Sequence, residues 1–331
     1  MRTYKNTCMV GTSYALSVYL LKMELPEIMN TFFICGSNVH PSLVERLPHA
    51  YQIKNSSRLD GDILGLLKLF LKKYICWPFM FSTNLYAQDH AIYFSEIIGG
   101  QKYTFIPDGP GVFHMIDKIN GLKPYAYGEN KKGLLRKLKY FLLKRPTSGK
   151  YWGTNDYCVD RWITSADDIS SPYMSGRKYT LLDYAEMWRN SDEAKKEFIK
   201  NVYAVDSAVL NMLVSADIMV FTQPFMTDCE ISEEDQYSIY NNAIRDYEGK
   251  KILIKPHPRD KFDYDKFFPQ CKVLHSYAPQ QLLNAIGCSP DIVITVCSTA
   301  ISEMPETTKK IYLGTKVHPA VFEVYGDQCN K

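Results

Sequence analysis

No apolar run in this sequence reaches the roughly 18 residues that a membrane-spanning helix needs, so no span is expected. The nine cysteines include no Cys-x-x-Cys pair, and their number is odd. A disulfide framework and a zinc site are both disfavoured, and reduced thiols in a cytosol are expected. A secretion signal is not expected either: Met1 to Thr7 is polar, and Lys22 and Glu24 break the apolar run that follows. The glycine signatures of common phosphate and nucleophile loops are missing. There is no Gly-x-x-x-x-Gly-Lys-Ser/Thr, no Gly-x-Gly-x-x-Gly behind a strand and no Gly-x-Ser-x-Gly. A net charge of +3 is too small to imply nucleic acid as a partner.

What remains is a globular composition. Of 331 residues, 46% are hydrophobic and 23% charged, which suits about two packed domains. Tyrosine is plentiful, at 24 residues, and serves either hydroxyl-bearing ligands or the core. Short apolar runs alternate with helical patterns, the rhythm of an α/β chain with parallel sheets. Strands are expected at Thr7–Gly11, Thr31–Gly36, Trp77–Ser82 and Tyr103–Pro107, and helices at Ser13–Met23, Gly61–Lys73 and His90–Ile98. In the second half, strands are expected at Asp217–Phe221, Lys251–Lys255, Lys272–His275, Asp291–Val296 and Lys310–Leu313. Helices there fall at Ser232–Tyr247, Pro279–Ile286 and Ala300–Met304.

Between the halves the pattern changes. Residues 131–150 carry eight Lys or Arg and no acid, interleaved with leucines and aromatics. This basic amphipathic segment suits an anionic membrane surface, where each cation contributes about 1 kcal/mol, or else is a solvated helix at a domain junction. Residues 151–205 are polar and weakly patterned and read as a connector with surface helices. The expected organisation is a first domain over 1–150, the connector over 151–205 and a second domain over 206–331.

Ligands of parallel sheets bind at the carboxyl ends of the strands. Three polar clusters lie at such ends in the second half: Thr222-Gln223-Pro224, Lys255-Pro256-His257-Pro258 and Cys297-Ser298-Thr299. Asp108-Gly109 lies at one in the first half, as an acid in a cleft or as a plain turn. His257, between two prolines, sits on stiff backbone and suits donation to a leaving phosphate. Ser298 and Thr299 open a helix and suit a phosphate, or simply cap it. The acids Asp228 to Asp235 supply candidate bases or a negative helix start. Asp263-Tyr264-Asp265 matches Asp-x-Asp, a metal-nucleotide motif, but falls in a helix rather than at a strand end, so no metal site is expected.

These pieces resemble glycosyltransferase family 52, the bacterial lipooligosaccharide and capsule sialyltransferases. The resemblance is carried by Thr222-Gln223-Pro224-Phe225, Ile231-Ser232-Glu233-Glu234-Asp235, Ile254-Lys255-Pro256-His257-Pro258-Arg259-Asp260 with Tyr264, and Ile292-Val293-Ile294 leading to Ser298-Thr299-Ala300. It implies a GT-B fold, two Rossmann-like domains with parallel sheets facing a central cleft, and a metal-independent, inverting transfer without cofactor. The implied donor is CMP-sialic acid and the implied acceptor a glycan ending in galactose. Asp235, counted back from His257, is implied as the general base, with Asp108 and Asp228 as alternatives. His257 would assist the leaving phosphate. Gly11 and Thr12, Thr222 and Gln223, Lys255, Pro256, Pro258, Arg259, Ser298 and Thr299 would line the donor site. The family's ribose contact is an acid near Tyr277 to Pro279, where this chain has none. The resemblance also allows a homodimer; the thiols point to the cytoplasm, and the basic segment 131–150 gives peripheral attachment to the inner membrane face as an option. Other GT-B transferases, using CMP-Kdo, CDP-polyol or UDP-hexose donors, share the His-Pro and Ser-Thr pair. A non-catalytic sugar-nucleotide binder of a capsule assembly complex is the reading from a different class.

Overall fold

The computed structural model describes residues 4–53, 84–90, 94, 98, 101–114, 116 and 152–328. The chain divides into two compact units, Met1–Val202 and Tyr203–Lys331. Each is built on one all-parallel sheet. Among the described residues the first has seven strands in the order β3-β2-β1-β4-β5-β6-β7. These are β1 Asn6–Val10, β2 Thr31–Cys35, β3 Ala50–Gln52, β4 Asn84–Ala87, β5 Tyr103–Phe105, β6 Cys158–Ile163 and β7 Thr180–Leu181. The second has five, in the order β10-β9-β8-β11-β12. These are β8 Ile218–Phe221, β9 Ile252–Lys255, β10 Lys272–Val273, β11 Ile292–Thr295 and β12 Lys309–Tyr312.

Parallel strands covered on both faces need apolar side chains on both, and the central strands show it. Every residue of β1 and of β8 is buried, including Asn6 and Thr7. The helix Ser13–Lys22 is buried from Tyr14 to Leu21, the mark of a helix enclosed on all sides. Tyrosine serves the core: Tyr19, Tyr103, Tyr203, Tyr240 and Tyr264 are among the largest fully buried side chains. Each such ring or aliphatic side chain contributes about 1.5–3 kcal/mol on burial. The described cysteines are free thiols, buried except for the half-buried Cys297.

Both sheets reverse direction once. The chain moves outward from β1 through β2 to β3, then resumes on β1's other side with β4. It repeats this in the second unit, from β8 through β9 to β10, then back to β11. The reversals leave crevices at the carboxyl ends of β1 and β4 and of β8 and β11, where doubly wound folds hold ligands.

The expected strands of the second half all appear, four of them shortened by a residue or two and the last shifted by one to Lys309–Tyr312. Ser232 caps its helix, which runs over Glu233–Ile244 before a 3₁₀ turn at Arg245–Tyr247. The helix expected over Ala300–Met304 is instead a 3₁₀ helix, Thr299–Glu303. The tract 151–205 differs more. It supplies β6 and β7 to the first sheet, and the first unit extends through it to Val202. The run Cys158–Ile163 hides its strand character because Arg161 interrupts the apolar residues, yet Arg161 is only 4% exposed. The helix and strand expected over 61–82, and the basic segment 131–150, lie outside the described residues.

Arg161 reaches three backbone carbonyls, donating to Gly153 at 2.6 Å, Lys178 at 3.2 Å and Cys158 at 3.4 Å. Gly153 has φ +68°, and a Cβ there would lie 2.9 Å from the Phe105 ring, so the turn requires glycine. Arg161→Met leaves those carbonyls unpartnered in a dry environment. A loss of about 3 kcal/mol of stability is expected in urea titration, with hydrogen exchange rising first in the 152–181 segment.

Candidate active site

The second unit's crevice is organised by the loop after β9. The His257 carbonyl accepts from Asp260 N at 2.8 Å, closing a four-residue turn with Pro258 at its second position, where proline's fixed φ fits. The His257 backbone N–H donates to Thr222 Oγ1 at 3.1 Å, tying this loop to the end of β8. Thr222 in turn donates to Asp260 Oδ2 at 2.8 Å. Asp260 is the hub. It also accepts from Gln236 Nε2 at 3.1 and 3.2 Å, from the Tyr264 hydroxyl at 2.8 Å and from Phe262 N at 3.2 Å. Gln223 N donates to the buried Tyr240 hydroxyl at 2.8 Å. Thr222 and Gln223 therefore form the framework that holds the loop. Asp260 was legible only as the last residue of the His-Pro motif, and Gln236 and Tyr240 were not singled out from sequence, although a polar Gln236 on the buried side of a helix is a readable signal.

The imidazole of His257 has a defined tautomer. Its Nδ1 accepts from Arg259 N at 3.1 Å, and a backbone N–H can only donate, so Nδ1 carries no proton. The neutral ring bears its hydrogen on Nε2. Burial, reinforced by the nearby Arg259 and Lys255 charges, holds the His257 pKa below the ordinary histidine value. Arg259 makes a bidentate pair with Asp228, with both N–O distances 2.9 Å, and the Tyr325 hydroxyl donates to the same carboxylate at 2.7 Å. Lys255, at the end of β9, has its Nζ 5.9 Å from the Phe221 ring centroid, and burial pulls its pKa down to about 8.

Across the crevice, Ser298 N donates to Thr295 Oγ1 at 3.0 Å, and Thr295 donates to the Phe221 carbonyl at 3.0 Å. Ser298 Oγ accepts from Ala300 N at 3.3 Å and caps the Thr299–Glu303 turn. A 3₁₀ helix this short has little macrodipole. An anion here would be held by hydroxyls and N–H groups.

The three candidate bases differ. Asp228 has both oxygens engaged, and the Arg259 guanidinium holds its carboxyl below the usual range. Asp108 belongs to the first unit's crevice. Burial pushes its pKa up, but hydrogen bonds from His90, Gln88 and Thr12 outweigh this. Its Oδ1 accepts from Gln88 Nε2 at 2.8 Å, and its Oδ2 lies 3.5 Å from His90 Nε2. Gly11 N donates to Gln88 Oε1, and Thr12 caps the Ser13–Lys22 helix, so both belong to this cluster. His90 also stacks on Trp152 at 3.7 Å, and the buried Asp89 holds the Trp152–Gly153 turn through Gly153 N at 3.0 Å. Asp235 is the third residue of its helix. Its Oδ2 accepts from Ser232 Oγ at 2.8 Å in a capping box, and Ser232 holds its carboxyl below the usual range. Among the described residues none donates a hydrogen bond to its Oδ1, and His318 Nε2 stands 3.9 Å away.

The Asp-x-Asp acids have other work: Asp263 caps the Tyr264–Phe267 helix, and Asp265 lies 2.9 Å from His275 Nε2. Among the described residues no three His, Cys, Asp or Glu are grouped to hold a metal ion, and no helix is long and apolar enough to cross a membrane.

Two doubly wound parallel sheets, with a rigid His-Pro loop at a strand end of the second, define the two-domain α/β class to which GT-B enzymes belong. The family model of glycosyltransferase family 52 matches residues 113–321, and the chain belongs to that family of glycosyltransferases. An uncharacterised protein of Haemophilus influenzae is 26% identical over 274 residues, covering 80% of this chain and 82% of that one. The fold is shared with an α/β-galactoside α-2,3-sialyltransferase from Photobacterium phosphoreum, at TM-score 0.51 and 12% identity over 98% of this chain and 95% of that one. It is shared too with the GT-B domain of a Photobacterium damselae sialyltransferase, at TM-score 0.54 and 14% identity over 92% and 90%.

Lys255 keeps a charge where burial opposes it. The folded protein releases this proton near pH 8 and the unfolded chain near 10.5, so its burden on stability is full below about 8 and fades between those values. Lys255→Met is expected to exceed the wild type in denaturant stability at pH 7, with the gap closing as pH rises through that window.

Proposed function

We propose that this glycosyltransferase moves sialic acid from CMP-sialic acid to a galactose hydroxyl of a surface glycan, lipooligosaccharide or capsule, with inversion and without a metal. The observation that carries the reading is the His257 tautomer: an imidazole locked by Arg259 N, whose Nε2 hydrogen meets no acceptor among the described residues. In CMP-sialic acid the phosphate is a diester with one negative charge. As the bond from the anomeric carbon to the phosphate oxygen breaks, a second charge develops on that oxygen. The His257 Nε2–H meets it there, and donors fixed beforehand are worth most where charge develops. Lys255 and Arg259 supply positive charge to the phosphate, and Ser298 and Thr299 supply hydroxyls. Pro256 and Pro258 hold His257 stiff while this happens.

Asp235 is the proposed base. Among the described residues its Oδ1 accepts no hydrogen bond, where the oxygens of Asp228 and Asp108 are engaged, and its position relative to His257 matches the family pattern. It takes the acceptor hydroxyl proton as that oxygen bonds to the anomeric carbon. A positioned acid or base of this kind contributes about 10²- to 10⁴-fold. On this reading the enzyme works in the cytoplasm at the inner membrane face, where its acceptor is assembled.

His257→Ala is expected to lower kcat at least about 100-fold with the fold intact by circular dichroism. Wild-type turnover should release CMP from CMP-sialic acid in preference to CMP-Kdo, and no CDP or UDP from the corresponding donors. Full activity of the variant, or preference for another donor in the panel, contradicts the reading.

A further inference from the structure

The chain contains three His-Pro steps, and all three behave alike. Ser42 N donates to His40 Nδ1 at 3.3 Å, Arg259 N to His257 Nδ1 at 3.1 Å and Ala320 N to His318 Nδ1 at 3.2 Å. The cause is local. Proline has no N–H and its φ is fixed, so the first available donor is the N–H two residues on, which falls on Nδ1. The histidine acts as asparagine does at a helix N-cap. The consequence is that each His-Pro step places the neutral ring's hydrogen on Nε2.

For His318 that hydrogen has an addressee. His318 caps the Pro319–Tyr325 helix, and its Nε2 lies 3.9 Å from Asp235 Oδ1, the oxygen the capping box leaves open. The charged groups nearest in the chain have other placements: Lys316 pairs with Asp327 at 2.9 Å, and Glu233 and Glu234 share the first turn with Asp235. We infer that His318 is a positioning residue for Asp235, its Nε2–H fixing the Oδ1 oxygen so that the remaining lone pair faces the acceptor hydroxyl. At 3.9 Å the two atoms stand beyond hydrogen-bond distance, and catalytic contacts that are long in a free enzyme commonly tighten only in the substrate complex. This rests on the proposal that Asp235 is the base.

Two substitutions separate the ring's two jobs. His318→Asn keeps an acceptor at the Nδ1 position and so keeps the cap, but removes the donor to Asp235. His318→Gln keeps a donor near the Nε2 position and weakens the cap. The expected result is a kcat about tenfold lower in H318N, with donor KM and melting temperature unchanged. H318Q is expected to stay within about threefold of wild-type kcat and to melt at a lower temperature. Donor KM is the control for helix damage. Tyr325, on the same helix, holds the Asp228–Arg259 pair, so a loosened helix would raise it. Wild-type kcat in H318N overturns the inference, as does equal loss in both variants with raised donor KM. Asp235→Asn is measured in parallel. If it is inactive while H318N is unaffected, only the role of His318 falls. If it stays active, the base assignment falls and takes His318 with it.

Discussion

The hydrogen bond from Thr222 to Asp260 is the contact on which the rest of the site depends. Thr222 closes β8 and Asp260 closes the loop after β9, so this bond joins two neighbouring strand ends. The same hydroxyl accepts the His257 N–H, and the same carboxylate collects Gln236, Tyr264 and Phe262 N. Each neutral bond is worth only about 1 kcal/mol net, but the buried network is costly to leave half-made. His257 is thus held through its backbone N–H, its carbonyl and its Nδ1. Much of the polar sequence around 222–264 exists to hold one imidazole still.

The two units spend their polar residues differently. In the second, His257 and Ser298 stand at strand ends and Asp235 in the first turn of a helix. In the first, Gly11, Thr12, Gln88, His90 and Asp108 are bonded largely to one another, with Trp152 stacked beside them. Both clusters lie where the sheet reverses direction, as the topology requires.

The second unit was the more legible in sequence. Its strands are short apolar runs bounded by Asp, Pro and Ser, and its polar strand ends stand out against them. The His-Pro step, the Ser232 cap and the Ser298-Thr299 pair could all be read without coordinates. The first unit resisted because some of its strands are atypical. Asn84–Ala87 is a four-residue run with one polar end, and Cys158–Ile163 carries a buried arginine satisfied by carbonyls far apart in sequence. A long-range contact of that kind leaves no periodic signal. For the same reason sequence spacing put Asp235 first but left Asp108 and Asp228 standing as alternatives. Only the hydrogen-bond partners distinguish them: a bidentate arginine on Asp228, a glutamine and a histidine on Asp108, and a capping serine on one oxygen of Asp235 alone.

The central claim is that His257 presents a hydrogen on Nε2 because Nδ1 is taken by Arg259 N. Nitrogen-15 spectroscopy of the ring, with the resonance assigned through a His257→Gln control, reads this directly. At neutral pH the account predicts an imidazole-type Nδ1 without a proton and a protonated Nε2, whose signal shifts when CMP is added. A ring protonated on Nδ1, or an Nε2 signal indifferent to CMP, would contradict it.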